Sequence, residues 1–252
     1  MLKINYNLED LRGFKVVKSN DLIQKTRFNL SLQEQKIVLY LISKIKPEDM
    51  DLKEYTFEIR SFLNVCGITN GGESYRYIKR TLKGLRDKSA WVTLEDGSET
   101  TVAWIGAVTV NKRSGSVKIK IDESIKPYLL QLQECFTQYE LLYALSMRSQ
   151  YSVRLYELLK SYEYRRGHKF DINDLKRKLF AENYERYPDF RRFVLDVATK
   201  EINDLSDITV SYKSIKTGRK YGEIEFAIHT KKDLMFFKGH GNTKANYKHI
   251  KC

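Results

Sequence analysis

The sequence has little cysteine, little proline and no long apolar run. Its three cysteines are far apart and never stand in C-x-x-C spacing, so they predict neither a disulfide framework nor a zinc site. No apolar stretch approaches the roughly 18 residues of a membrane span, and the N-terminus lacks the apolar core of a signal peptide. Three prolines and 13 glycines are few for a disordered chain. We therefore expect a folded protein of the reducing cytoplasm that has no membrane partner.

Positive charge is what the sequence has in excess. There are 45 Lys and Arg residues against 32 Asp and Glu, which gives a formal net charge of +13 and a pI near 9.4. Both halves share the excess: the segment from Glu134 onward holds 23 basic and 16 acidic residues, a net +7, which leaves +6 for the residues before it. A basic field spread over the whole chain suits a polyanion, and nucleic acid is the leading partner class.

The clearest local pattern lies between residues 187 and 212. Apolar residues recur there at helical spacing, with polar and partly basic residues on the other face; the apolar set is Phe190, Val194, Val197, Ala198, Ile202 and Leu205. Pro188 supplies a helix start, and after Ser206 the period becomes that of a strand. The basic turn 216–220 leads into a returning strand at 224–228, which predicts a hairpin with a cationic tip. A helix followed by a charged hairpin is the order of a winged helix.

The first half of the chain contains a similar order of elements. Ser31 and Glu34 form a capping box at the start of an apolar helix that we expect to end at Pro47. A short helix at 61–66 and a second at 74–88, whose basic residues lie opposite an apolar face, give a helix-turn-helix pattern. Strands are predicted at 55–59, 91–94, 102–110 and 117–121, and the turn at 111–116 is a natural basic wing.

The two halves match in order at a nearly constant offset. KIVLYLISKI resembles SVRLYELLKSY and YTFEIRSFL resembles HKFDINDLK, at separations of 116 and 113 residues. The match predicts an α+β chain of two tandem winged-helix domains related by internal duplication, with chance similarity between short amphipathic segments as the alternative.

The domain boundary is placed where the pattern of the first unit ends. A connecting helix is predicted at 123–132 and a further helix at 139–144. We therefore assign residues 1–134 to an N-terminal domain, 135–237 to a C-terminal domain and 238–252, which has no periodic apolar residues, to a mobile tail.

Four segments in sequence order resemble the plasmid replication initiators of the iteron-binding Rep type: Val17–Ile23, Leu30–Lys36, Lys200–Asn203 and Lys216–Lys220. The resemblance covers about residues 14 to 230. It implies two winged-helix domains that bind directly repeated origin sequences in double-stranded DNA and start plasmid replication. It also implies a monomer that binds the repeats, a homodimer that represses its own promoter, and the host initiator and replicative helicase as partners.

Twelve basic residues are candidate DNA contacts. The resemblance assigns five to the second recognition helix and its wing: Arg191, Arg192, Lys200, Arg219 and Lys220. The charge pattern adds seven: Arg76, Lys79, Arg80, Lys83, Lys112, Arg113 and Lys216. We expect Arg191 or Arg192 to read guanine edges. We expect phosphate contacts from Lys79, Arg80, Lys83, Lys216 and Lys220. Solvated charges on an amphipathic helix are the simpler alternative.

No catalytic motif accompanies this pattern. The four histidines never form the His-x-His metal site of a nicking initiator, and no GxxxxGK[ST] phosphate loop is present. The acidic residues at 95–99 are interpreted as solvated turn charges. We expect no enzymatic activity, no metal and no cofactor. A winged-helix transcriptional repressor, a rolling-circle nicking enzyme and a basic scaffold for an acidic protein remain the alternatives.

Overall fold

The computed structural model describes residues 13–65 and 74–231. Cys66, the turn expected at 68–73 and the tail expected at 238–252 fall outside these residues. None of the helices among the described residues has the length and apolar character needed to span a bilayer.

The chain folds into two units. The N-terminal unit ends at Leu145 and the C-terminal unit begins at Ser146. The sequence placed the boundary earlier, after residue 134. The division falls later because a strand at 136–140 pairs with the strand at 15–19 and so belongs to the N-terminal unit.

The N-terminal unit begins with β1 (Lys15–Ser19), α1 (Asn20–Gln24), β2 (Thr26–Arg27) and α2 (Leu32–Ile42). The Ser19 hydroxyl accepts a hydrogen bond from the Leu22 N–H at 3.2 Å, so α1 starts directly after the strand. Ser31 and Glu34 form the predicted capping box, in which the Glu34 carboxylate accepts from the Ser31 N–H at 2.7 Å. The almost wholly buried α2 ends at Ile42, before the predicted proline stop.

The rest of the N-terminal unit builds a winged helix with one added hairpin. In chain order the elements are β3 (Glu54–Glu58), α3 (Ile59–Val65), α4 (Ser74–Arg86), β4 (Ser89–Thr93), β5 (Glu99–Ala103), β6 (Ile105–Asn111) and β7 (Ser116–Ile121). β7 pairs antiparallel with both β3 and β6. The single strand predicted at 102–110 is two strands, because the chain passes at the buried Trp104 from the sheet β2-β4-β5 into the sheet β3-β7-β6.

The end of the N-terminal unit differs from the sequence expectation. A 3-10 helix (Glu123–Tyr128) stands where a connecting helix was predicted, and β8 (Phe136–Glu140) and α5 (Leu141–Ser146) replace the helix predicted at 139–144. β8 pairs antiparallel with β1, which its alternating burial fits. Cys135 is disulfide-bonded, whereas the cysteine spacing predicted no disulfide framework.

The C-terminal unit is a second winged helix. Its elements are α6 (Gln150–Lys160), β9 (Gly167–Asp171), α7 (Ile172–Leu179), α8 (Tyr187–Phe190), a π-helical turn (Arg191–Leu195), α9 (Asp196–Leu205), β10 (Ile208–Thr217) and β11 (Lys220–Thr230). The sheet order is β10-β11-β9, with all pairs antiparallel. α6 ends at Lys160, and a short 3-10 helix follows at Glu163–Arg165.

α8, the π turn and α9 run without a break and are named here the C-terminal recognition helix, residues 187–205. Phe190, Val194 and Ala198 are buried as predicted, but Val197 is exposed and Leu195 is fully buried. A π turn holds about one residue more than an α turn, so it rotates the following α9 relative to α8. Leu195 is therefore buried although it lies off the apolar face predicted from α-helical spacing, and Val197, which was predicted on that face, is exposed.

The two units share one topology. Each runs helix, strand, helix, recognition helix and hairpin, and in each sheet the last strand lies in the middle. The N-terminal unit adds the β4–β5 hairpin between the recognition helix and the wing. The predicted α+β architecture of two winged helices is confirmed. Common origin by internal duplication stays a prediction.

Candidate nucleic-acid interfaces

The N-terminal recognition helix, α4, has one buried face and one cationic face. Ile78, Leu82 and Leu85 lie in the core, as the sequence predicted. The four basic residues predicted for the opposite face are all exposed: Arg76, Lys79, Arg80 and Lys83. An exposed helix face that carries several cations can contact the phosphate backbone of a nucleic acid.

Tyr75 links α4 to the hairpin β6–β7, which is named here the N-terminal wing. The Tyr75 hydroxyl donates a hydrogen bond to the Val110 carbonyl at 3.3 Å. The Lys79 and Lys112 ammonium nitrogens lie 5.9 and 6.0 Å from the centre of the Tyr75 ring, within reach of a cation–π attraction. The Tyr75 ring thus lies close to a cation of α4, Lys79, and to a cation of the wing, Lys112.

The tip of the N-terminal wing is a structured turn. The Asn111 side-chain oxygen accepts hydrogen bonds from the Arg113 and Ser114 N–H groups at 2.9 and 3.1 Å. Gly115 closes the turn with a φ of +65°, a conformation that glycine adopts readily. Lys112 and Arg113 are therefore held on an exposed turn of defined shape.

Arg191, at the start of the π turn, belongs to a network inside the protein. Its Nε lies 3.5 Å from the Asp196 carboxylate, and the Tyr212 hydroxyl of β10 donates to the same carboxylate at 2.5 Å. The hydrogen bond with Tyr212 and the charge of Asp196 raise the pKa of Arg191. Burial, together with Asp196, raises the pKa of Tyr212. Arg191 therefore fastens the recognition helix to the hairpin.

Arg192 is placed differently from its neighbour. Its guanidinium carbon lies 5.2 Å from the centre of the Phe193 ring, and it forms no ion pair within residues 13–65 and 74–231. Of the two arginines expected to read guanine, Arg192 is the one whose donors are available to a ligand.

The hairpin β10–β11, named here the C-terminal wing, carries the remaining predicted cations. Thr217 pairs with Lys220, so the tip is a two-residue turn with Gly218, at φ +67°, in its first central position. Lys216, Arg219 and Lys220 are exposed around this tip. Lower on the hairpin, the Tyr221 ring lies 4.3 Å from the Tyr187 ring at the start of the recognition helix.

The inner side of the C-terminal recognition helix is tied to its neighbours. The Glu201 carboxylate accepts from the Arg148 and Ser149 N–H groups at 3.0 and 3.2 Å and so fixes the start of α6. The Asn203 side chain donates to the Val210 carbonyl at 2.9 Å and accepts from its N–H at 2.7 Å. Asn203, which the sequence placed on the polar outer face, therefore positions β10.

All twelve predicted DNA contacts lie on the surface, six in each unit. In each unit a tyrosine contact joins the recognition helix to the wing. Three predicted residues have local acidic partners. Arg191 pairs with Asp196, Lys83 Nζ lies 2.8 Å from Asp87, and Lys200 Nζ lies 2.9 Å from Asp204. The role of these residues in DNA binding stays a prediction.

Sequence reasoning missed two exposed apolar residues of the C-terminal recognition helix, Phe193 and Val197. Phe193 carried a signal, because it lies off the apolar face of the helical pattern. Nothing in the sequence indicated that Val197 is exposed, because its spacing fits the apolar face. Among the described residues there is no group of three or more side chains that could hold a metal ion.

Comparison with known proteins gives the family. A model described as "Initiator Replication protein, WH1" matches residues 15–160, and one described as "Initiator Rep protein, WH2" matches residues 171–228. A curated "Replication initiation protein" of Escherichia coli is 27% identical over 205 residues, which is 77% of this chain and 63% of that protein. The "PI protein" of Escherichia coli is 29% identical over 131 residues, 44% of this chain and 43% of that protein. The chain thus spans less than two thirds of the length of either relative.

Solved structures show weaker likeness. The crystal structure of the MSBI1.176 WH1 domain, a replication protein isolated from a multiple sclerosis patient, is 22% identical, covering 39% of this chain and 79% of that one with a TM-score of 0.30. RctB domains 2-3 are 15% identical, with coverage of 83% and 87% and a TM-score of 0.44. Both scores are low, and the family assignment does not rest on them. The match to the WH1 model alone spans more than half of the chain, and the chain therefore belongs to the initiator replication protein family, with one WH1 and one WH2 domain.

Proposed function

We propose that this protein is a plasmid replication initiator that binds double-stranded DNA sequence-specifically at directly repeated origin sequences, or iterons. The observation that carries the proposal is the pairing, in each unit, of an exposed cationic helix with a cationic hairpin at its side. Membership in the initiator replication protein family supports the initiator role over the other functions that winged helices serve.

In the proposed complex each recognition helix enters a major groove and each wing contacts phosphates. The groove is wide enough for a helix and displays a distinct pattern of donors, acceptors and methyl groups for every base pair. Arg192 would donate two hydrogen bonds to guanine O6 and N7, a contact worth about 1 to 3 kcal/mol of discrimination. Lys79, Lys112 and Lys216 would contact phosphates, which adds affinity without reading sequence.

The proposed action needs no covalent step, and we infer no enzymatic activity, metal or cofactor. Several copies bound along the repeats would favour melting of an adjacent AT-rich region, with the host initiator and the replicative helicase as partners. The same DNA contacts, made by a homodimer at the promoter of its own gene, would repress transcription. We place this action in the cytoplasm, where reducing conditions favour the thiol form of Cys135, and the proposal does not depend on the disulfide.

The test is fluorescence anisotropy of the full chain with two labelled duplexes, a repeat found beside the gene and its scrambled version, across a salt series. A preference of about 10³ or more for the repeat at near-physiological salt is expected. Equal affinities that both fall steeply with salt would reduce the interaction to nonspecific phosphate attraction and would overturn the proposal.

Two further observations separate the initiator from its alternatives. A plasmid that carries the repeats should lose autonomous replication when the gene is deleted, whereas a pure repressor would leave replication intact. Supercoiled origin DNA should stay uncut in the presence of the protein and a divalent metal. Cutting would establish a nicking enzyme instead.

A further inference from the structure

The C-terminal recognition helix exposes two apolar side chains within its polar face. Phe193 is 47% exposed and Val197 is 38% exposed. They are four residues apart and so lie on the same side of the helix. Single exposed apolar residues are ordinary on protein surfaces, but two neighbours on a proposed binding face form a small apolar patch whose burial by a ligand would be favourable.

The patch is rigid before any ligand arrives. The Phe193 ring stacks on Tyr184, with centroids 6.0 Å apart and planes inclined by 26°. Tyr184 in turn contacts the edge of Tyr151, in α6, at 6.0 Å. Val197 is β-branched, and such side chains have one strongly preferred rotamer in a helix. Two fixed apolar groups lose little conformational entropy on binding.

The surroundings of the patch favour an anionic ligand over an apolar protein surface. Arg192 lies against Phe193, and the cations of the C-terminal wing belong to the same winged helix. The acidic residue between the two apolar ones, Asp196, is engaged by Arg191 and Tyr212, so that its charge is compensated within the protein. A partner that approaches this face meets positive charge around a small apolar centre.

We propose that Phe193 and Val197 form a contact site for the C5-methyl group of thymine in the major groove, beside the base that Arg192 reads. Thymine is the only one of the four bases that presents a methyl group there, whereas the other base edges offer polar groups. The inference rests on the proposed function and deepens it, because it assigns thymine readout to residues that carry no charge.

The test replaces thymine by deoxyuridine, one position at a time, in the repeat duplex. Deoxyuridine keeps the hydrogen-bonding edge of thymine and lacks only the methyl group. Binding of the full chain is measured by fluorescence anisotropy, with the wild type and with Val197→Ala. At one or two positions we expect wild-type affinity to fall about fourfold, which corresponds to about 0.8 kcal/mol for one buried methyl-sized group.

The variants separate a direct contact from a general effect. Val197→Ala should bind the thymine duplex about fourfold more weakly than the wild type, but the two should bind the critical deoxyuridine duplex alike. Phe193→Leu, which keeps an apolar side chain, should retain most of the thymine preference. Leu94→Ala is the matched control, because Leu94 is a similarly exposed aliphatic residue (40%) of the N-terminal unit, and it should respond to deoxyuridine as the wild type does.

The outcomes distinguish this inference from the proposed function. If the repeat is preferred over the scrambled duplex but no deoxyuridine substitution weakens binding, thymine readout by this patch is wrong and the proposed function stands. The same holds if the thymine preference is unchanged in Val197→Ala. If the repeat and the scrambled duplex bind equally, both the inference and the proposed function are overturned.

Discussion

The two recognition helices occupy the same place in the same topology but present different chemistry. α4 is uninterrupted and exposes lysines and arginines above an apolar face. The C-terminal recognition helix contains a π turn and exposes Arg192 beside the apolar Phe193 and Val197. A face of cations alone recognises phosphates, whereas arginine next to apolar groups can distinguish base edges. We infer that the N-terminal unit supplies mainly affinity and the C-terminal unit mainly sequence readout.

The arginines of the two units support this division. In the N-terminal unit Arg86 Nε donates to the Gly106 carbonyl at 3.0 Å. Arg80, whose guanidinium lies 5.7 Å from the Tyr77 ring, is placed much as Arg192 is beside Phe193. Lys79 Nζ lies over the Tyr75 ring, 5.9 Å from its centre, and carries a compact charge. Lysine acts as a point charge toward phosphate, while bidentate recognition of guanine needs the planar fork of an available arginine. Arg80 and Arg192 both offer such a fork, and what sets Arg192 apart is the exposed apolar pair Phe193 and Val197 on the same helix.

The largest expected effect comes from removing Arg192. Arg192→Ala should lower the preference for the repeat over the scrambled duplex by about 1 to 3 kcal/mol, roughly fivefold to 150-fold, because a bidentate guanine contact is lost. Arg192→Lys should lose nearly as much preference, since it keeps the charge but not the fork. Anisotropy titrations on both duplexes measure the ratio. An equal loss of affinity for the two duplexes would show that Arg192 contacts a phosphate. The assignment of sequence readout to the C-terminal recognition helix would then be wrong.

A smaller and qualitatively different effect is expected from α4. Lys79→Ala should weaken binding to the repeat and to the scrambled duplex alike and reduce the slope of log affinity against log salt by about one unit, because one counterion-releasing contact is lost. Salt series on both duplexes give this slope. Lys126→Ala, an exposed lysine of the same unit outside α4 and the wing, should leave the slope unchanged. A selective loss on the repeat would mean that α4 also reads bases.

Local signals in the sequence predicted most of the fold. The capping box at Ser31 and the amphipathic pattern of α4 depend only on residues a few positions apart, and both were confirmed. The hairpin β10–β11 was predicted because its turn lies next to its strands. The pairing of β1 with β8 joins residues far apart in the chain, so no local pattern contained it. For that reason the two units of the structure divide at residue 145, later than the boundary predicted from the sequence.

The candidate site was predictable to the extent that it consists of charge. Seven of the twelve predicted cations were named from the charge pattern and five from the family resemblance, and all twelve lie on the surface. The apolar patch was not found, since Val197 leaves the core only when the π turn rotates α9, and α-helical spacing makes no allowance for the extra residue. The engagement of Arg191 was also hidden, because its partner Tyr212 lies in β10.

The smallest expected effect is on the stability of the folded protein. It arises at one position where the aligned sequences of the two units have different residues. His168 in β9 aligns with Tyr55 in β3, and its ring stacks on Tyr162 at 3.7 Å. Burial, followed by the positive charges of Arg165 and Lys178, lowers the pKa of His168 below its ordinary value of 6.5. The unfolded chain therefore binds this proton more readily than the folded one. Neutral His168 therefore contributes to the free energy of unfolding. This contribution is complete above about pH 6.5 and is lost as the pH falls through the lower pKa of His168 in the folded protein.

Replacing His168 by the residue of the matching position should remove this pH dependence. We expect the urea midpoint of the full chain to fall less between pH 7 and pH 5 in His168→Tyr than in the wild type, because tyrosine retains the ring stack and does not titrate in this range. His229→Gln, a change at an exposed histidine of β11, should follow the wild-type curve. If His168→Tyr and the wild type lose the same stability between pH 7 and pH 5, protonation of His168 does not weaken the C-terminal unit. The difference between His168 and Tyr55 would then have no effect on how the two units respond to acid.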